Sequence, residues 1–327
     1  MSQSTSAWTP PLAPADAPVY HYTTAVGLIG IMTNRELWAT EASGLNDISE
    51  FRDGLTYLGT WMRKTGGPMT GRILSMLKED GYWAPSRPSE VFVLSATLDR
   101  DDAAQWRLYG GRQAGYAVEL DPAVPLGVIS GDSSEPKESR FSMFNLGGES
   151  TVAPWCRVAY TTASKNKMLQ SLLDWARDDD RAFRVRARSM KRRGAPEDFI
   201  ADEAFLADER LKTAIGTAAA LIKPEGFRSE REVRAVASVG VPQLHTRFRA
   251  TEYGIVRYLR LAAGEGSNVV VKDTQVDGRP KRRLPAQGVV VGPTPYFEQG
   301  RDTVVELCKV GGIDAPRVEH SIVPLRV

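Results

Sequence analysis

From Ala163 to Leu221 the chain consists almost wholly of helix-forming residues, broken once by Gly194-Ala195-Pro196, while both flanks read as short strands and turns. Such a block reads as a helical insertion into a β-rich framework. The expectation is an α+β fold with a mixed or antiparallel β framework, the insertion lying at about 163–221. No internal repeat is present. With 42% hydrophobic residues in 327, the chain can bury a substantial core, and residues 18–327 are expected to form a single domain. Residues 1–17 contain Pro10, Pro11 and Pro14 and have no basic, apolar leader, so they are expected to form a flexible tail.

The framework reads most clearly between Tyr20 and Glu50. Pro18 to Tyr22 is rich in β-formers, and Thr23 or Thr24 can cap a helix carrying Val26, Leu28, Ile29, Ile31 and Met32, with Asn34 near its end. Glu36 to Thr40 reads as a second strand, and Asn46 to Glu50 as the start of another helix, with Glu50 closing a capping box. Helices are expected at 50–64, 69–79 and 101–109. Val91 to Ser95 suits a buried strand, and Gly115 to Leu120 alternates as another after the Gly110-Gly111 break. A long loop is expected over 131–150 and a strand over 155–161. Beyond the insertion, strands are expected at 232–238, 254–261, 268–271 and 289–291, then a helix at 301–310 and a terminal strand at 317–323.

Four segments carry a family resemblance. HYTT with its Leu-Ile-x-Ile-Met helix, ELWAT and LND is the first; SATLDRDDAAQWRLYGGRQAGY (95–116), GFRSEREVR (226–234) and VVVGP (289–293) are the others. In order and spacing they resemble domain-of-unknown-function family 2971, a largely bacterial group often met near phage-defence genes. The resemblance implies that Asn46 and Asp47 face a site, and the pair Glu232 and Arg234 is the part of the third segment that matches. The run "His-x-Thr, short amphipathic helix, short strand" is also similar to the opening of ADP-ribosyltransferase-like domains. That likeness implies a first-strand His on an NAD ribose, an aromatic residue over the nicotinamide and a late Glu completing the site.

The residues themselves support a polar site at several places. His21, Tyr22 and Thr23 offer an imidazole, a phenol and a hydroxyl within one turn, although in a regular strand His21 and Tyr22 point to opposite faces. Trp106 and Tyr109, three apart on a helix, suit either core packing or stacking on a heteroaromatic ring, with Arg107 beside them for a phosphate. In a strand, Glu230, Glu232 and Arg234 would share one face. That arrangement is either a salt-bridged surface or a carboxylate placed to stabilise an oxocarbenium centre. Glu232, immediately before the apolar run 233–236, is the preferred catalytic residue, with Glu230 and His21 beside it.

The expected occupant is NAD as substrate, with no metal. The leading expectation is an NAD-consuming enzyme that transfers ADP-ribose or hydrolyses NAD in a bacterial defence or toxin setting. A non-catalytic nucleotide sensor is the alternative. A metal-dependent nuclease built from Asp47, Glu50, Glu230 and Glu232 is the weaker option, because no Lys accompanies the Glu pair in sequence. Walker, dinucleotide-fingerprint and His/Cys metal patterns are missing, which argues against an ATPase, a Rossmann dehydrogenase or a zinc hydrolase. A net charge of +2 implies no general affinity for polyanions. The seven basic residues between Arg181 and Arg193 are either a solvated helix face or a local contact for a nucleic-acid or protein acceptor. The two cysteines, Cys156 and Cys308, stand far apart, as in a reducing cytoplasm, and no apolar run approaches the roughly 18 residues of a membrane span.

Overall fold

The computed structural model describes residues 7–45, 48–79, 91–110, 114–129, 150–239, 245–251, 254–264, 270–276 and 278–324. The opening unit is β1 (Val19–Thr23), α1 (Ala25–Asn34) and β2 (Leu37–Glu41). Thr24 is extended and its hydroxyl accepts the Gly27 N–H, starting α1; Arg35, left-handed at φ 49, ends it just past Asn34. Next come α2 (Ile48–Thr65), α3 (Pro68–Glu79), β3 (Val91–Thr97), α4 (Ala103–Tyr109), β4 (Tyr116–Leu120), β5 (Leu126–Ile129), β6 (Ser150–Val152) and β7 (Cys156–Arg157). The helical block is two helices, α5 (Thr162–Arg192) and α6 (Glu197–Ala220), separated where Gly194 takes φ 71. The chain then returns to strands: β8 (Glu232–Val239), β9 (Arg247–Thr251), β10 (Gly254–Ala263), β11 (Val270–Val271), β12 (Gln275–Val276), β13 (Arg279–Pro280) and β14 (Ala286–Val291). It ends with α7 (Phe297–Val310) and β15 (Arg317–His320).

The result is an α+β fold around a mixed 13-stranded sheet. Its path runs β11-β5-β10-β2-β3-β1-β4-β14-β15, with β8 also paired to β3, and among the described residues its parallel strand pairs are β5–β11 and β14–β15. Alternation along β3 sorts the two faces. Val91 and Val93 pack with Val236 of β8 against α2, α3, α5 and α6. Phe92, Leu94 and Ala96 pack on the other face with Leu28 and Met32 of α1 and Val304 and Cys308 of α7. The helical block therefore covers the main core instead of standing apart from it.

Three expectations change here. The tail is pinned over part of its length: Trp8 is buried against α5, Ala13 N–H donates to Trp155 O (2.8 Å) and Arg157 N–H donates to Pro11 O (2.8 Å). The strand expected over 155–161 shrinks to Cys156–Arg157 and a single bridge at Ala159, because Thr161 is already the N-cap of α5. The last strand stops at His320, since Ser321 and Ile322 turn to bond the Asp101 carboxylate. The loop expected over 131–150 lies outside the described residues up to 149, and Ser150 already opens β6; the first part of the strand at 268–271 also lies outside them.

Candidate functional site

The edge of β3 opposite β8 is shared by two strands that part from each other. β2 pairs there only at Val93 and Phe92, and β1 only at Thr97. Between these contacts the Ser95 carbonyl has no ladder partner, and His21 Nδ1 bonds it at 2.8 Å. A carbonyl can only accept, so Nδ1 carries the proton and the neutral ring keeps Nε2 as an acceptor. Burial lowers the His21 pKa; the bond to Ser95 works the other way, and the nearby Arg249 charge adds to the lowering.

At this gap lies a cavity of about 80 Å³, open to solvent and lined by Tyr20, His21, Tyr22, Ser95, Ala96, Thr97, Gln105, Tyr109, Glu230 and Glu232. Register gives Tyr20, Thr97 and Glu232 one face of the sheet, and alternation assigns His21 and Ala96 to the other. Both sets line the same cavity because it opens where the sheet is split. The core-facing positions also change character along the strands. Val91 and Val93 are followed by Ser95 and Thr97, opposite Val236, Arg234 and Glu232, so the apolar core gives way to polar groups at the cavity.

The floor is a buried ion network. Arg234, 2% exposed, donates to both oxygens of Glu232 (2.8 and 2.9 Å), to Glu50 of α2 and to the Ala220 carbonyl (2.6 Å). Lys223 Nζ contacts Glu230 (2.6 Å), Glu232 (3.1 Å) and Glu50 (3.8 Å). Three carboxylates thus face two cations, leaving one negative charge in excess. Burial alone would raise the Glu232 carboxyl, but the Arg234 and Lys223 charges, with hydrogen bonds from Arg234 and Ser95, hold it down at about 2. It stays ionised at neutral pH, so it can oppose a developing positive charge but cannot donate a proton.

Several expected residues take other places. Trp106 does not line the cavity; it is buried against Tyr22 (ring centroids 4.4 Å apart), with Nε1 donating to Asp101 (2.7 Å). The Tyr22 hydroxyl is committed to Asp99 O and Asp102 N–H, both at 3.0 Å. Arg107 is exposed and is not a lining residue. The cavity face of α4 is instead Gln105 and Tyr109, one helical turn apart. Tyr109 remains 37% exposed, and burial, followed by the Glu230 and Glu232 charges, raises its phenol. Glu230 lies in the 3-10 turn Glu225–Glu230 and not in β8, because Arg231 adopts a left-handed conformation (φ 43) between them. Arg234 supports the floor from beneath. Thr23 closes β1 without lining the cavity, and Asn46 and Asp47 lie outside the described residues.

Sequence reasoning missed Lys223 and the buried role of Glu50, and it gave Gln105, although part of the α4 cluster, no role. A Lys does accompany the Glu pair, contrary to expectation: Lys223 lies seven residues before Glu230 and is brought back to it by the 3-10 turn. A capping residue at Glu50 was a sufficient local explanation, and its pairing with Arg234 spans 184 residues.

Residues 105–235 match the profile of a family described as protein of unknown function (DUF2971). The chain resembles DUF2971. The matched segment holds Gln105, Tyr109, Lys223, Glu230, Glu232 and Arg234, whereas His21 and the VVVGP segment lie outside it. No curated protein and no solved structure matches the chain. No helix among the described residues is long and apolar enough to cross a membrane.

Proposed function

We propose that the cavity takes the nicotinamide-ribose end of NAD and that the protein breaks the bond between them, in the manner of ADP-ribosyltransferase-like enzymes. The observation that carries this reading is the convergence of His21, Tyr109 and the Glu230–Glu232 pair, from three distant segments, on one cavity. Neutral His21 accepts a hydrogen bond from a ribose hydroxyl through Nε2. The Tyr109 ring covers the nicotinamide, and Gln105 supplies a polar contact. As the C1′–N bond breaks, the electron pair leaves with neutral nicotinamide and positive charge develops on the ribose. The excess negative charge of the floor opposes it. Water or an acceptor then bonds C1′ and loses a proton, giving hydrolysis or ADP-ribosyl transfer. The defence or toxin setting implied by the family resemblance belongs to this same reading.

One observation favours a second reading, a nucleotide sensor without turnover: both Glu232 oxygens are already held by Arg234 and Lys223, so little of that charge is left for a substrate. A nuclease has less support, because Glu50, Glu230 and Glu232 are all engaged by fixed cations and no three-residue metal-binding group occurs among the described residues. Incubation of purified protein with NAD separates enzyme from sensor. Release of nicotinamide that His21→Ala and Glu230→Gln abolish supports catalysis, and NAD binding with no nicotinamide release supports the sensor.

A further inference from the structure

Arg249 of β9 holds a charge that no carboxylate among the described residues pairs with. Its Nη2 donates to Thr40 Oγ1 (2.8 Å), its guanidinium carbon lies 5.7 Å from the Trp38 ring centroid, and its buried Nε has no hydrogen-bond partner. Neighbouring arginines are matched: Arg257 pairs with Glu41, and Arg260 and Arg282 each pair with Glu36 and Asp273. A half-buried guanidinium without an anion is unfavourable, and burial accordingly lowers the Arg249 pKa. An anion supplied from outside would remove that penalty.

The position of Arg249 relates it to the cavity. Thr40 faces Val93 on the side of the sheet that carries Ser95 and Thr97, at the point where β2 leaves β3. Through Thr40, Arg249 is held beside Val93, two residues along β3 from Ser95 and outside the lining of the cavity itself, and its charge is felt at the His21 ring. Arg107, the cation that sequence order favours, lies on the exposed side of α4, so no desolvation penalty awaits an anion there.

We propose that Arg249 is the seat for the pyrophosphate of a nucleotide whose ribosyl end occupies the His21–Glu230 cavity. The inference rests on the nucleotide reading above for what fills the cavity, and it adds the residue that discriminates phosphorylated from unphosphorylated ligands. The guanidinium fork suits two phosphate oxygens, which a Lys ammonium matches less well.

The test is calorimetric titration of wild type, R249Q, R249K and R107Q with ADP-ribose and with adenosine, run beside NAD turnover and melting temperature. Wild type is expected to prefer ADP-ribose to adenosine. R249Q is expected to bind ADP-ribose roughly tenfold to a hundredfold more weakly with adenosine binding unchanged. R249K is expected to fall between, and R107Q to match wild type. If R249Q does not fold, R249K carries the comparison, and wild-type affinity in it overturns the proposal. Equal ADP-ribose affinity in R249Q and wild type, or no binding by wild type, also overturns it. Phosphate-dependent binding through Arg249 without nicotinamide release sinks only the enzymatic reading. Nicotinamide release with an unchanged KM in R249Q sinks only the pyrophosphate seat.

Discussion

Glu230 and Glu232 line one cavity but hold different parts of the structure. Glu232 is gripped by Arg234 and Lys223, whereas Glu230 meets Lys223 alone. Removing charge from Glu232 leaves Arg234 with Glu50 as its remaining carboxylate partner. Glu232→Gln is therefore expected to lower stability on the order of 3 kcal/mol along with any activity, measurable by denaturant titration. Glu230→Gln is expected to fold as wild type and lose roughly a hundredfold in nicotinamide release. Near wild-type turnover in Glu230→Gln would place the chemistry elsewhere. The pH dependence has a definite sign. The Glu232 pKa falls from 4.5 to about 2 on folding, so its contribution is complete above 4.5 and is lost as pH falls toward 2. Stability measured across that window is expected to drop in wild type and to change less in Glu232→Gln.

At the scale of elements, α4 divides its work between two faces. Trp106 anchors it on Tyr22, and Gln105 and Tyr109 turn to the cavity. Trp106→Ala is expected to cost about 3–5 kcal/mol of stability, while Tyr109→Ala weakens nucleotide binding and leaves the melting temperature near wild type. Helix α2 depends on Gly54, where an added Cβ would stand 2.2 Å from the Ala219 carbonyl oxygen. That close approach to α6 carries Glu50 to Arg234. Gly54→Ala is expected to destabilise by about 1–3 kcal/mol and to disturb the ion network; full retention of stability would show that α6 yields easily. Both helices were legible in the sequence from their apolar spacing. Which face of α4 meets a cavity was not, because spacing alone cannot say where a second surface stops.

Over the whole molecule, the helical block contributes its inner faces to the core and leaves the end of α5 in solvent. There Arg181 pairs with Asp178 and Arg184 with Asp180 on the same helix. Charge reversal across 181–193 is expected to leave nicotinamide release unchanged, and altered release would tie this end of α5 to the cavity. Deleting residues 1–13 is expected to lower the melting temperature, since it removes Trp8 from the core and the main-chain bond from Arg157 to Pro11.

The sequence by itself determined the α+β class, the placement of the helical block and most of the longer strands and helices, but not the short strands β5, β6, β9, β12 and β13. Periodicity, caps and glycine breaks act over a few residues and need no partner. It also singled out His21, Tyr109, Glu230 and Glu232, whose residue types are unusual beside apolar strands. Only the tertiary structure decided that β1 and β2 part along β3, that Lys223 and Glu50 join the carboxylate floor, and that Arg249 rests on Thr40 with no acid beside it among the described residues. These features depend on the register between segments up to about two hundred residues apart, and on which charges find partners once that register is set.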